Sequence, residues 1–356
     1  MSVTSKKKLT LPNGTIVDAQ TPVIVSASRS TDIPAFYADW FFNRLDAGFS
    51  LWTNPFNGTQ MYISYEDTRF IVFWSKNPAP LLSHLHKLQE RGIGCYIQYS
   101  LNNYDNERYE PNVPCWENRI DTFRRLVDKL GNKSVIWRND PLLLTDKIGI
   151  DDLLFRLEKT GDALKGYTEK LVFSFVDISS YTKVEKNMTR SGIHYVEWNH
   201  GLMQNFAKEL SILNQKWGYE LATCAEELDL DTYGIKHNHC VDDELIAKIA
   251  PNDKILMKHL GFEINKLRPT LMGYESIPEG AILINSTTYA VRKKNNKDKG
   301  QRLHCGCIKS KDIGQYNTCK HFCVYCYANA GQKQVLRNFE SHLRNQNATT
   351  ITGTSS

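Results

Sequence analysis

Short runs of β-favouring apolar residues alternate along this chain with longer stretches whose apolar residues recur at helical spacing. Val23–Ala27 is the first run. A polar loop, Ser28–Pro34, leads from it into a helical stretch over Ala35–Leu45 that stops at Ala47-Gly48. Arg69–Trp74 is the second run, followed by Ser75-Lys76-Asn77-Pro78 and a helical stretch over Leu81–Glu90. Gly94–Ser100 is the third, with its helix postponed to Trp116–Leu130. Ser134–Arg138, Leu171–Phe175 and Glu220–Cys224 continue the series, and helical patterns at Asp151–Glu158 and Gly201–Lys216 lie between them.

This alternation predicts an α/β fold, a parallel sheet with helices on its outside. Six units in about 200 residues predict a partial or closed (β/α) barrel of TIM-like type rather than a flat sheet. The polar residues that end each run are Ser28/Arg29/Ser30, Ser75/Lys76/Asn77, Ser100/Asn102, Arg138/Asp140, Asp177 and Glu226. They would share the C-terminal face, where parallel barrels build their sites.

The flanks read differently. Residues 1–20 form an irregular lead-in with a hairpin-type turn at Pro12-Asn13-Gly14. After Cys240 come a short helix over Glu244–Ile249 and a mixture of short strands and turns over 251–290. The expected layout is thus a lead-in over 1–20, a barrel over 21–250, a connecting segment over 251–303, a cysteine-rich segment over 304–330 and a polar tail over 331–356. That tail starts as a helix and ends in NQNATTITGTSS, a composition that predicts disorder.

Composition narrows the class. Hydrophobic residues are 41% and charged residues 23%, as in ordinary globular proteins, and no stretch approaches the ~20 continuous apolar residues of a membrane span. Met1–Lys8 is polar and basic with no apolar run behind it, which is not a secretory signal, so the cytoplasm is the expected compartment. Nine cysteines, an odd number, argue there for metal binding or thiol chemistry over disulfides. Cys95 reads as a small apolar strand residue. The net charge of +5 is concentrated in RKKNNKDKGQR, Arg292–Arg302. That stripe fits contact with a nucleic-acid backbone; its lack of interleaved aromatics fits a solvated loop.

Five of the nine cysteines fall between Cys305 and Cys326, and Cys319, Cys323 and Cys326 have the form C-x3-C-x-aromatic-C. Three thiolates so spaced on a curled loop can reach three corners of a [4Fe–4S] cube and leave the fourth iron open to S-adenosylmethionine. Zinc is the competing occupant, with Cys305, Cys307, His304 and His321 as further ligands. Cys305 and Cys307 either join Cys224 and Cys240 in a second metal site or pack beside the first.

The cysteine triplet with Tyr325 before Cys326 resembles the radical S-adenosylmethionine superfamily. FWSKNPAPLL (73–82), QYSLNNYDNERYEPNVPCWENRI (98–120) and VIWRNDPLLL (135–144) are similar to successive strands and loops of spore photoproduct lyase. Most of residues 22–330 also resembles an uncharacterised bacterial domain family. Its members open with V-S-A-S-R-S-T-D-I-P-A-F-Y, here Val25–Tyr37, and close with D-I-G-x-Y-N-T-C-x-H-x-C-x-Y-C-Y-A, here Asp312–Ala328. In the superfamily the cysteine loop follows the first strand; here it lies near the C-terminus, so the C-terminal segment is expected to fold back over the barrel mouth.

The resemblance implies an enzyme that cleaves S-adenosylmethionine to a 5′-deoxyadenosyl radical for hydrogen abstraction, fed by a donor such as flavodoxin or ferredoxin. It places Lys76 and Ser100 near the amino-acid part of S-adenosylmethionine, Asn102 near its ribose and Arg138 on a second anionic group. Tyr325 would shield the cluster, Glu110 and Arg119 would form a bracing ion pair, and Arg29, Ser30 and Asp32 would reach the pocket. Cys224 is the candidate hydrogen donor. By analogy with the lyase, the implied substrate is a nucleobase or nucleic acid. The alternative is a non-enzymatic nucleic-acid-binding module stabilised by zinc or a cluster.

Overall fold

The computed structural model describes residues 6–270, 273–301 and 304–353. Its principal sheet has eight strands: β1 (Ile24–Ala27), β2 (Phe70–Ser75), β3 (Gly94–Ser100), β4 (Val135–Leu142), β5 (Lys170–Phe175), β6 (Glu220–Thr223), β7 (Ile235–His237) and β8 (Lys311–Asp312). All neighbours are parallel, in the order β7-β6-β5-β4-β3-β2-β1-β8. Strands β1 to β7 therefore follow one another in sequence, as the alternating pattern predicts.

Side-chain alternation separates the two faces. Ile71, Phe73, Ile97, Tyr99, Trp137, Leu171 and Phe173 point into one core, beneath helices Ala38–Asp46, Trp116–Leu130, Ile150–Leu164 and His200–Asn214. Ile24, Phe70, Val72, Tyr96, Ile136 and Val172 point the other way, into a second core. Each large side chain so buried stabilises the fold by roughly 1.5–3 kcal/mol. Gly94 is required beside Phe70, because a Cβ there would come within 2.7 Å of the ring.

The second core explains why the sheet does not close. Its edge strands β7 and β8 are not paired with each other. A closed barrel fills its interior with its own strand side chains. Here the helices Asp243–Ile249 and Lys254–Leu260 fill it, with Ile246, Ala247, Leu256, Met257 and Leu260. Of the expected partial or closed barrel, the closed form is corrected to an open parallel sheet plugged at one end.

Farther along the same face the strands turn polar. Ser26, Trp74, Gln98, Arg138 and Ser174 continue the alternation of Ile24, Val72, Tyr96, Ile136 and Val172 toward the C-terminal strand ends. Apolar plug below and polar residues above create a floor with a cavity over it.

Both flanks are built into the fold. Lys6–Thr10 and Ile16–Gln20 form a hairpin through Gly14, whose φ of 84° is in the left-handed region, and join Gln60–Ser64 and Phe49–Thr53 in a four-stranded sheet. The tail is ordered through residue 353, against the expectation of disorder. After the helix Gln332–Arg344 the chain runs back along this sheet: Leu51 N donates to Thr349 O (2.8 Å), Trp40 Nε1 to Ala348 O (2.9 Å), and Ile351 is buried. Its polar composition hid these backbone partners.

Candidate functional site

The C-terminal segment is fastened over the strand ends by one carboxylate. Strand β8 pairs with β1, and Asp312 accepts from Ser26 Oγ (3.0 Å), Ser28 Oγ (2.8 Å), the Arg29 backbone N–H (2.8 Å) and Gly314 N (2.9 Å). Gly314 permits this approach, since a Cβ there would overlap Ser28. A second clamp is Asp32, which accepts from Ser75 Oγ (2.7 Å) and the Lys76 N–H (2.7 Å) and meets His321 Nε2 at 2.8 Å. Burial opposes its charge, but the bond from His321 keeps its carboxyl below the usual range.

These clamps set Cys319, Cys323 and Cys326 on the wall of a cavity of about 430 Å³ at the C-terminal ends of the strands. Phe322, with a φ of 55°, makes the loop's turn. The loop is also gripped from outside: Asn112 Nδ2 donates to Lys320 O (2.7 Å), Val324 N to Tyr109 O (3.0 Å) and Asn329 Nδ2 to Cys319 O (2.8 Å). Burial pushes all three thiols up. Opposing it, backbone N–H groups of His321 and Asp32 favour the thiolate at Cys319, those of Ala328 and Asn329 at Cys326, and the Lys76 ammonium at Cys323.

Beside the triad, Glu110 gathers a buried polar knot. Its Oε1 accepts from Lys76 Nζ (2.8 Å), Asn102 Nδ2 (2.9 Å) and the Tyr325 hydroxyl, and its Oε2 faces Arg119 Nη1 at 3.4 Å. Burial works against this carboxylate, yet Lys76 and Arg119 pull its pKa to about 2. The Glu110–Arg119 pair is present as expected, and Asp105 completes it through Arg119 Nη2 (2.9 Å).

The same cavity holds four further thiols. Arg138 bonds Asp140, Gln98 Oε1 (3.1 Å) and Cys240 Sγ (3.3 Å), and Cys240 Sγ lies 3.3 Å from Cys224 Sγ. Burial disfavours the Arg138 charge, and Cys240 and Asp140 outweigh that, raising its pKa. Trp74 is flanked by two guanidinium groups, Arg29 at 5.3 Å and Arg138 at 5.5 Å from its ring. Cys305 and Cys307 line the same cavity.

Lys76, Ser100, Arg138, Tyr325 and Cys224 thus line one cavity with the triad, as do Arg29, Ser30 and Asp32. Asn102 does not: fully buried, it bonds Glu110 and Asp140. Both ring nitrogens of His321 are engaged, Nε2 with Asp32 (2.8 Å) and Nδ1 with Asn112 O (3.2 Å). Among the described residues, three metal-binding side-chain atoms lie within 4.8 Å of one another only at His239, Asp242 and Asp243. A tetrahedral zinc with bonds of about 2.3 Å would bring its sulfurs to about 3.8 Å. The three sulfurs of the triad do not all lie within 4.8 Å of one another.

The basic stripe is partly neutralised. Arg292 pairs with Asp243 and Glu244, and Lys293 with Glu263 at 3.1 Å; Arg302 lies outside the described residues. Among the described residues no helix is long and apolar enough to cross a membrane. Asp312, Gln98 and Trp74 were not singled out by their sequence context, although Asp312 sits in the D-I-G run just ahead of the triad.

No curated protein and no solved structure matches the chain. The stretch that builds this cavity, from β1 through the cysteine loop to Ala328, coincides with a single family model, described as Domain of unknown function (DUF1848), which matches residues 24–328, and the chain belongs to that family.

Proposed function

We propose that the chain is a radical S-adenosylmethionine enzyme in which Cys319, Cys323 and Cys326 hold a [4Fe–4S] cluster. When bound, cluster and cofactor supply an electron to the sulfonium and a 5′-deoxyadenosyl radical for hydrogen abstraction from a substrate. The observation that carries this reading is the convergence of three thiols, eight residues end to end, on one cavity at the C-terminal ends of a parallel sheet.

The chain's own residues have defined tasks in it. Backbone N–H groups and Lys76 favour the thiolates, and Tyr325, buried on the cavity wall and anchored on Glu110, would shield a bound cluster from water. Ser100 offers a hydroxyl on the wall, and Lys76 and Arg138 offer positive charge to a carboxylate. The electron comes from an external one-electron donor of the flavodoxin or ferredoxin type. A purely nucleic-acid-binding module has less support, because the basic stripe carries no interleaved aromatic residue for base stacking.

The test is anaerobic reconstitution with iron and sulfide, then reduction with S-adenosylmethionine and assay of 5′-deoxyadenosine by mass spectrometry. Formation by the wild type and not by a Cys319/Cys323/Cys326→Ala variant is expected. Colourless protein holding stoichiometric zinc and forming no deoxyadenosine would overturn the reading.

A further inference from the structure

Four cysteines that the triad does not use converge in the same cavity. Cys224 follows β6, Cys240 follows β7, and Cys305 and Cys307 come from the segment before β8. Their sulfurs run in a row: Cys224 Sγ is 3.3 Å from Cys240 Sγ, Cys307 adjoins Cys240, and Cys305 adjoins Cys307. Four thiols from three distant segments need a reason to meet in a protein interior.

The surroundings are built around them. Cys240 is held by its carbonyl, which accepts from Tyr96 Oη (2.7 Å) and Gln98 Nε2 (2.9 Å), both on the inner face of β3. Its sulfur accepts from Arg138 Nη1 (3.3 Å) and Asn238 Nδ2 (3.2 Å), and Cys307 Sγ accepts from Val241 N (3.3 Å). Gly306 between Cys305 and Cys307 lies against His239; a Cβ there would overlap the imidazole, so only glycine lets the two halves close. Arg29 reaches the same thiols and keeps a buried Nη2 without a hydrogen-bond partner. Two guanidinium groups beside four sulfurs provide charge compensation for a group with several thiolate ligands.

We infer that Cys224, Cys240, Cys305 and Cys307 ligate a second iron–sulfur cluster, of two irons, in the same cavity as the triad. Four thiolates suit soft metals, iron–sulfur or zinc. The sulfurs meet in pairs, Cys224 with Cys240 and Cys305 with Cys307, while no three lie within 4.8 Å of one another; this fits two irons each held by two thiolates rather than one tetrahedral ion or the wide corners of a four-iron cube. This inference concerns other ligands than the proposed function does and stands without it.

The experiment is metal analysis of anaerobically purified and reconstituted full-length protein. The Cys319/Cys323/Cys326→Ala variant is expected to keep about two irons per chain and a visible charge-transfer absorption. Adding Cys305→Ser and Cys307→Ser should remove that iron, with circular dichroism reporting whether the fold survives. Gly306→Ala, which keeps every ligand, should lower the same iron content in the triad-free background. A triad variant without iron, or with one zinc in its place, overturns the inference; so does iron that persists when Cys305 and Cys307 are replaced. Deoxyadenosine formation by the wild type is scored separately, so failure of either centre is distinguishable from failure of the other.

Discussion

Cys319, Cys323 and Cys326 occupy one loop of eight residues, whereas the four further thiols of the cavity come from three segments spread over Cys224–Cys307. The loop needs only to be placed, and Asp32, Asp312 and Asn112 place it from outside. The second set exists only once β3, β4, β6 and β7 are in register, because Tyr96, Gln98 and Arg138 hold Cys240. A local and an assembled set of thiols are therefore expected to respond differently to damage: the first at single residues, the second with the sheet.

Predictions sharpen that contrast. The largest effect is expected at Cys323→Ala, which should bring deoxyadenosine formation down to background while thermal unfolding shifts little; an active variant would break the assignment of the triad. Glu110→Ala comes next. It leaves Lys76 and Arg119 buried without their carboxylate, a loss of about 3–5 kcal/mol in urea unfolding. The same residue gives a pH signature. Its folded pKa of about 2 lies below the ordinary 4.5, so its contribution is complete above about pH 4.5 and is lost as pH falls toward 2. Thermal midpoints measured from pH 5 down to 3 should fall less steeply in Glu110→Gln than in the wild type.

Asp312→Ala removes the acceptor shared by Ser26, Ser28, Arg29 and Gly314, and should cost about 2–3 kcal/mol. Hydrogen exchange should rise over Lys311–Ala330 before it rises in β3 or β4; a uniform rise would deny Asp312 its role as the fastener. Tyr325→Phe should be the mildest, about 1 kcal/mol by urea unfolding, since Lys76 and Asn102 retain Glu110.

How much of this was legible follows the same division. Strands β1 to β6 show themselves by apolar runs bounded by polar loops, and the triad by its spacing. β7 (IKH) and β8 (KD) carry no such pattern, since they are two or three residues long and held by neighbours. Strand periodicity leaves partial and closed barrels both open, because nothing in it tells that Asp243–Ile249 and Lys254–Leu260 fill the inner face. Lys76 and Arg138 were placed on the cavity by their strand-end positions, but Asn102 was not distinguishable from them. Its partner Glu110 lies eight residues on, in a loop whose course no periodicity reveals. The ordered tail is a further case: Thr349 and Ala348 act through their carbonyls, which sequence composition does not report.

The most direct test of the central claim is electron paramagnetic resonance of the reduced Cys305→Ser/Cys307→Ser protein, in which the triad is the remaining cluster site, before and after adding S-adenosylmethionine. An open iron at Cys319, Cys323 and Cys326 predicts a cluster signal whose g-values change on addition of the cofactor. A signal that S-adenosylmethionine leaves unchanged, or no cluster signal at all, would contradict the account.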